Sequence, residues 1–249
     1  MSGKRSYAEA IRRLDAAQKP GRAVPPYTRY VNRWLGRRLA AACYVWGRTP
    51  NQVTWLSLLA SALGIALFAV GPIGWATGVA AAALFILGFA LDSADGQLAR
   101  LTGGGGLAGE WFDHTADAGR EPAIQLGLLV YLYRAGAPTW SWLLPMAVLV
   151  FTTARFMAQV LADQLRRGQG DGAADGLAWD SGSDAQAARR ALLQTPSDPG
   201  TIFLSFILLG ALEVFVVVYS LIAAANVLLA TASFRRRHRE LVGLARKVR

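Results

Sequence analysis

The stretch Asp92-Ser-Ala-Asp95-Gly96-Gln-Leu-Ala99-Arg100, followed after eight residues by Gly109 and then at four-residue steps by Asp113 and Asp117, decides how this chain is read. It begins where a long apolar segment ends. A carboxylate at the edge of a bilayer is costly and is usually kept for function. If the helix of the preceding span continues past Leu91, 100° per residue places Asp92, Asp95, Gly96 and Ala99 on one face. Asp113 and Asp117 share a face of the next helix, with Gly109 one turn earlier. Two such helices side by side aim four carboxylates into one space, where they repel one another unless cations are present. Hard oxygen donors of this kind suit Mg²⁺, Mn²⁺ or Ca²⁺.

The surroundings are those of a membrane protein. The 249 residues are 53% hydrophobic and 17% charged, more apolar than an ordinary soluble domain, and apolar runs near the roughly 20 residues of a crossing recur. The expected fold is an all-α integral membrane protein with six transmembrane helices behind an amphipathic juxtamembrane helix. Thr49-Pro50-Asn51 is a helix-start signal for a first span of about 53–70. Gly71-Pro72 turns the chain into a second span of about 73–91. A third helix runs from near Ala108 through Tyr133, and a fourth over 140–156 with a kink expected at Pro145. The apolar run 201–234 is too long for one crossing, so a turn near Gly210–Glu213 splits it into two.

Charge sets the ends. Eleven Lys or Arg from Lys4 to Arg48 face only Glu9 and Asp15, and seven from Arg235 to Arg249 face only Glu240. Basic ends beside apolar spans favour an anionic membrane surface over nucleic acid, since no basic domain stands apart from the lipid. Residues 1–48 read as a basic head, 49–234 as the membrane domain with a polar insert at 157–200, and 235–249 as a basic tail. Pro20, Pro25 and Pro26 prevent a continuous helix at the start. Residues 27–47 set Tyr30, Val31, Trp34, Leu35 and Leu39 among Arg29, Arg33, Arg37 and Arg38, as in a helix lying on a leaflet. The positive-inside tendency places both termini, and the emerging Asp92, in the cytosol of a cell with this protein in its cytoplasmic membrane. Cys43 is the only cysteine, which rules out an internal disulfide. Gly103–Gly106 lacks the Lys and Ser/Thr of a phosphate-binding loop and reads as a connector.

The pattern D-x2-D-G-x2-A-R-x8-G-x3-D-x3-D resembles the signature of the CDP-alcohol phosphotransferase (CDP-alcohol phosphatidyltransferase) family at every fixed position, over a region of about 45–234. The resemblance implies six spans, usually in a homodimer, a CDP-linked donor such as CDP-diacylglycerol, an alcohol acceptor and release of CMP in phospholipid synthesis. It implies two Mg²⁺ (or Mn²⁺) per site held by Asp92, Asp95, Asp113 and Asp117, with Asp117 also the general base. Asp92, Gly96, Ala99, Arg100 and Asp113 would bind CDP, and Arg155 and His114 are candidates for the acceptor. Gly109-Glu-Trp-Phe-Asp113-His114 resembles the corresponding run of choline and ethanolamine phosphotransferases. Phosphatidylinositol-phosphate synthases often carry Arg directly after the last Asp, where this chain has Ala118.

Four other readings compete. A phosphotransferase can take a small soluble CDP-alcohol with a lipid or polyol-phosphate acceptor. Intramembrane prenyltransferases also use aspartates and Mg²⁺ on a diphosphate, but usually have an Asn before the first Asp. An ion-coupled transporter usually places acidic ligands mid-span within repeated halves, and no repeat is visible. Lastly, the aspartates can simply pair with Arg100, Arg120 and other basic groups. CMP release from a CDP-linked donor separates both phosphotransferase readings from the rest, since prenyl transfer yields pyrophosphate and transport yields neither.

Overall fold

The computed structural model describes residues 5–17, 24–104, 106–168 and 184–247. Pro20, Gly105, residues 169–183 of the expected insert and the extreme ends lie outside them. The described residues form helices with no strand. In chain order these are α1 (Tyr7–Ala16), α2 (Arg33–Val45), α3 (Pro50–Val70), α4 (Trp75–Thr102), α5 (Gly106–Arg134), α6 (Leu143–Gly168), α7 (Asp184–Leu193), α8 (Pro199–Ser205) and α9 (Leu212–Lys247). Four, namely α3, α4, α6 with its lead-in turn and α9, are long and apolar enough to cross a membrane.

The helix boundaries follow local chemistry. Thr49 and Gln52 form a reciprocal capping box in front of α3, with Pro50 at the first helical position, which satisfies two of the free amides there. Gly103, at φ 67°, ends α4 in a left-handed cap that a residue with a Cβ adopts at a cost. Arg134 closes α3 by donating to the carbonyls of Phe68 and Gly71, both at 2.9 Å. Pro145 falls in the first turn of α6, where a missing N–H leaves no bond unmade. The kink expected there is replaced by a helix start. The apolar run after residue 200 breaks between Gly210 and Leu212, and α9 continues unbroken past Arg235.

The core has two parts. Away from the aspartates, Phe68, Phe85, Phe203, Phe206, Phe215, Tyr131 and Tyr219 pack together, with neighbouring rings 5.1–6.5 Å apart at mostly tilted angles. At the aspartate end, Ala10 and Leu14 of α1, Ala40, Ala41 and Cys43 of α2, Val53 of α3 and Leu91, Ala94, Leu98 and Leu101 of α4 form a smaller cluster. The prolines imply only that no continuous helix runs over residues 1–26, and the sequence reading singles out no short helix ahead of Pro20. Yet α1 carries Ala10 and Leu14 one turn apart, and both are buried. Its Arg13 also donates to the carbonyl of Leu101 in the last turn of α4, at 3.1 Å, where a cation suits the negative end of the helix.

The 27–47 segment divides into a wide-wound turn, Tyr27–Asn32, and α2. It turns Gly36, Ala40 and Ala41 inward and leaves Tyr30, Trp34 and Trp46 exposed. Gly36 is required by proximity: a Cβ there would stand 2.6 Å from the Ser93 hydroxyl and 2.9 Å from the Gln97 amide of α4.

A latch ties this segment to the other side of the molecule. Asp198, fully buried, accepts from the Thr28 amide at 2.9 Å, the Thr28 hydroxyl at 2.8 Å and the Gly200 amide at 3.2 Å, and so caps α8. The Tyr27 ring lies against Gly200 with no room for a Cβ. Burial first, and the charge on Asp198 second, push the Tyr27 hydroxyl above the usual phenol range. Replacing Asp198 with Ala strands three donors, so we expect a loss of about 2–3 kcal/mol, read as a lower thermal midpoint in lipid. Thr28→Val should cost less, because the backbone amide keeps its acceptor.

Candidate metal and phosphoryl-transfer site

The aspartates meet where α3, α4 and α5 pack together. α3 contributes a polar stripe, Thr54, Ser57 and Ser61, at the three- and four-residue spacing of one helix face, and all three are buried. Ser57 donates to the Gly88 carbonyl of α4 at 2.8 Å. The helices come this close because Gly88 has no Cβ; one would sit 2.7 Å from the Ser61 hydroxyl. Thr54 donates to Asp95 at 2.6 Å, leaving that carboxylate only 4% exposed yet oriented.

Asp92, Asp95 and Asp113 each offer an oxygen to one space, and these atoms lie within 4.8 Å of one another. Three hard donors from two helices at that separation fit a cation of the Mg²⁺ or Mn²⁺ type. Without one, three carboxylates this close are held together against their own repulsion. Asp117, one turn beyond Asp113, is tied in differently. It forms an ion pair with Arg120, whose other contacts are Asp92 Oδ1 at 2.9 Å and Ser57 Oγ at 2.7 Å. Asp92 is therefore shared between the cation space and the guanidinium.

The remaining candidates fall at varying distances from this centre. Gly96 faces open space, where an added Cβ would meet only an Arg100 guanidinium nitrogen at 3.7 Å. Ala99 is half-buried and Arg100 exposed on the same end of α4. Gly109 stands beside Asn51 of α3. His114 has neighbours that account for its position: the Phe156 ring at 6.0 Å and the Glu110 carboxylate at 3.9 Å. Glu110 in turn pairs with Arg167 of α6 at 2.7 Å. Arg155 belongs to α6, and its guanidinium reaches the Ser197 carbonyl at 3.5 Å. Glu121 and the buried Arg237 are close enough to act on its charge.

Sequence reasoning missed three residues of this neighbourhood and named a fourth without its place. Thr54 and Ser57 were signalled by their spacing within an otherwise apolar span. Glu121 continues the four-residue step of Asp113 and Asp117. Arg120 was read merely as one of the bases that could pair with aspartate; its place among three helices follows from packing.

A family model, CDP-alcohol phosphatidyltransferase, matches residues 48–175, just over half of the chain. The match takes in α3, α4, α5 and α6, and with them every aspartate of the site. The chain belongs to the CDP-alcohol phosphatidyltransferase family. It is thus a membrane-associated transferase moving a phosphoalcohol group from a CDP-alcohol to an alcohol acceptor, in a family that is typically metal-dependent. No curated protein matches it.

Proposed function

We propose that this protein transfers a phosphatidyl group from CDP-diacylglycerol to an alcohol, releasing CMP, at the cytosolic face of the cytoplasmic membrane in phospholipid synthesis. The observation that carries this reading is the three-carboxylate space at one end of an apolar bundle, where a lipid-linked diphosphate can lie with its head among the aspartates and its tails along α3 and α4. Four helices, α3, α4, α6 and α9, are long and apolar enough to cross, and in this reading α5 and the short apolar stretch Pro199–Gly210 would supply the other two of six crossings. The short one reaches about 18 Å unaided, so it enters from the turn that Asp198 caps. An even number of crossings keeps both basic ends on one side, and their charge argues for the inner leaflet.

In the reaction, the acceptor hydroxyl oxygen attacks the donor phosphorus that bears the diacylglycerol. The bond from that phosphorus to the bridging oxygen breaks, and CMP leaves with the electron pair. Asp117 takes the hydroxyl proton. Asp92, Asp95 and Asp113 would hold Mg²⁺, or Mn²⁺, two ions in all, and such ions would neutralise charge developing on the phosphoryl oxygens. Asp117, paired with Arg120 outside that space, is kept for the proton rather than serving as the further ligand that the resemblance implies. Gly96 and Ala99 leave a flat opening for the cytosine ring, and Arg100 stands beside it. Arg155, with Arg237 near it, offers positive charge to an acidic acceptor. His114, held by Phe156 and Glu110, shapes the wall between α5 and α6.

The test is purified protein in lipid with CDP-diacylglycerol, Mg²⁺ and a panel of alcohols, with products identified by mass. We expect CMP together with a new phosphodiester lipid. A product formed solely from a water-soluble CDP-alcohol would move the donor assignment, and pyrophosphate release without CMP would refute the reaction.

A further inference from the structure

We infer that Arg120 is a positioning residue: a permanent internal cation that fixes Asp117 and competes with the divalent ion for Asp92. The inference deepens the metal and base reading of the site and rests on it. The guanidinium side chain is only 5% exposed. It contacts all three helices that build the site: Asp117 on its own helix, Asp92 on α4 at 2.9 Å and Ser57 on α3 at 2.7 Å. Ser57 is itself pinned, since its hydroxyl donates onward to the Gly88 carbonyl at 2.8 Å. Because the serine donates to Gly88 while accepting from Arg120, the guanidinium meets a hydroxyl whose direction the α3–α4 contact already fixes.

Two consequences follow. First, Asp117 is drawn toward Arg120 and away from the three-carboxylate space, so its free oxygen keeps one direction for receiving a proton. Second, one positive charge already sits against Asp92, so a divalent ion enters a cluster less negative than its four aspartates suggest. Arginine suits both tasks, because its planar fork bonds two carboxylates and a hydroxyl at once and it stays charged when buried. Lysine keeps the charge and loses the fork.

The experiment measures Mn²⁺ binding by electron paramagnetic resonance, alongside kcat and the KM for the CDP donor, in wild type, Arg120→Gln and Arg120→Lys. Removing the internal cation should tighten Mn²⁺ binding in Arg120→Gln about tenfold while kcat falls about a hundredfold, because Asp117 loses its orientation. Arg120→Lys should return Mn²⁺ affinity to within about threefold of wild type and leave kcat low with KM little changed. A merely structural arginine would weaken Mn²⁺ binding, or leave it unaltered, in Arg120→Gln, and that result overturns the inference. So does a lysine variant that binds Mn²⁺ as tightly as Arg120→Gln or turns over like wild type. Should Arg120→Gln fail to fold, the lysine variant decides: near-native Mn²⁺ affinity with a lowered kcat supports the inference, and lost affinity overturns it. If wild type itself binds no Mn²⁺, the metal reading of the aspartates fails, and this inference with it.

Discussion

Replacing Asp117 with Asn reduces CMP release about a thousandfold, while the protein inserts and packs as before. The side chains are nearly the same size, and Asn can still accept a bond from Arg120 through its amide oxygen. What it cannot do is take a proton. Asp117 lies one helical turn from Asp113, on the same face, and is oriented by an arginine that touches three helices. No other carboxylate of the cluster is held outside the metal space in this way. Asp92 is divided between cation and guanidinium, and Asp95 is committed to Thr54. The measurement is CMP formation at saturating donor and acceptor, normalised to folded protein. Activity within tenfold of wild type would take the base assignment away from Asp117.

The second large effect is at Asp95, and it has two opposite parts. Asp95 is nearly fully buried beside two further carboxylates. Asp95→Asn relieves their repulsion, so the metal-free protein should unfold at a higher temperature than wild type, by about 3 °C for each kcal/mol of repulsion removed. The same change deletes the best-buried donor of the cation space. Wild type should gain about 2.7 kcal/mol of stability when Mn²⁺ is supplied at a hundred times its dissociation constant. The Asn variant should gain little and turn over at background. Stability given up to hold a reactive arrangement is the usual trade at a functional site. A variant that is less stable without metal, and still stabilised by it, would show that Asp95 serves packing rather than ligation.

Much of the site was legible because its spacing matches helix periodicity. Asp92, Asp95 and Gly96 fall on one face only if α4 runs on past the apolar segment, and it does, to Thr102. The start of α3 was equally plain, since Thr49, Pro50 and Gln52 form a local cap that needs nothing from the rest of the chain. What escaped depends on neighbours distant in sequence. α1 is ten residues long, too short to hold alone, and exists because α2 and α4 bury Ala10 and Leu14. Arg120 looked like an ordinary base until Ser57, 63 residues earlier, proved to be its anchor. Asp198 was one more acid in a polar stretch; its capture of Thr28, 170 residues away, is a tertiary event with no local sign. Of the acceptor side, Arg155 is placed against Ser197 and near Arg237, a pairing that no spacing in α6 foretells.

The most direct test of the account follows the donor's two phosphorus nuclei by NMR when Mn²⁺ is added to the protein in lipid. A bound paramagnetic ion held by Asp92, Asp95 and Asp113 against the diphosphate should broaden both resonances in wild type and leave them sharp in Asp95→Asn. Sharp diphosphate signals beside protein-bound Mn²⁺ in wild type, or equal broadening in the variant, would contradict the claim that these side chains bring cation and substrate together.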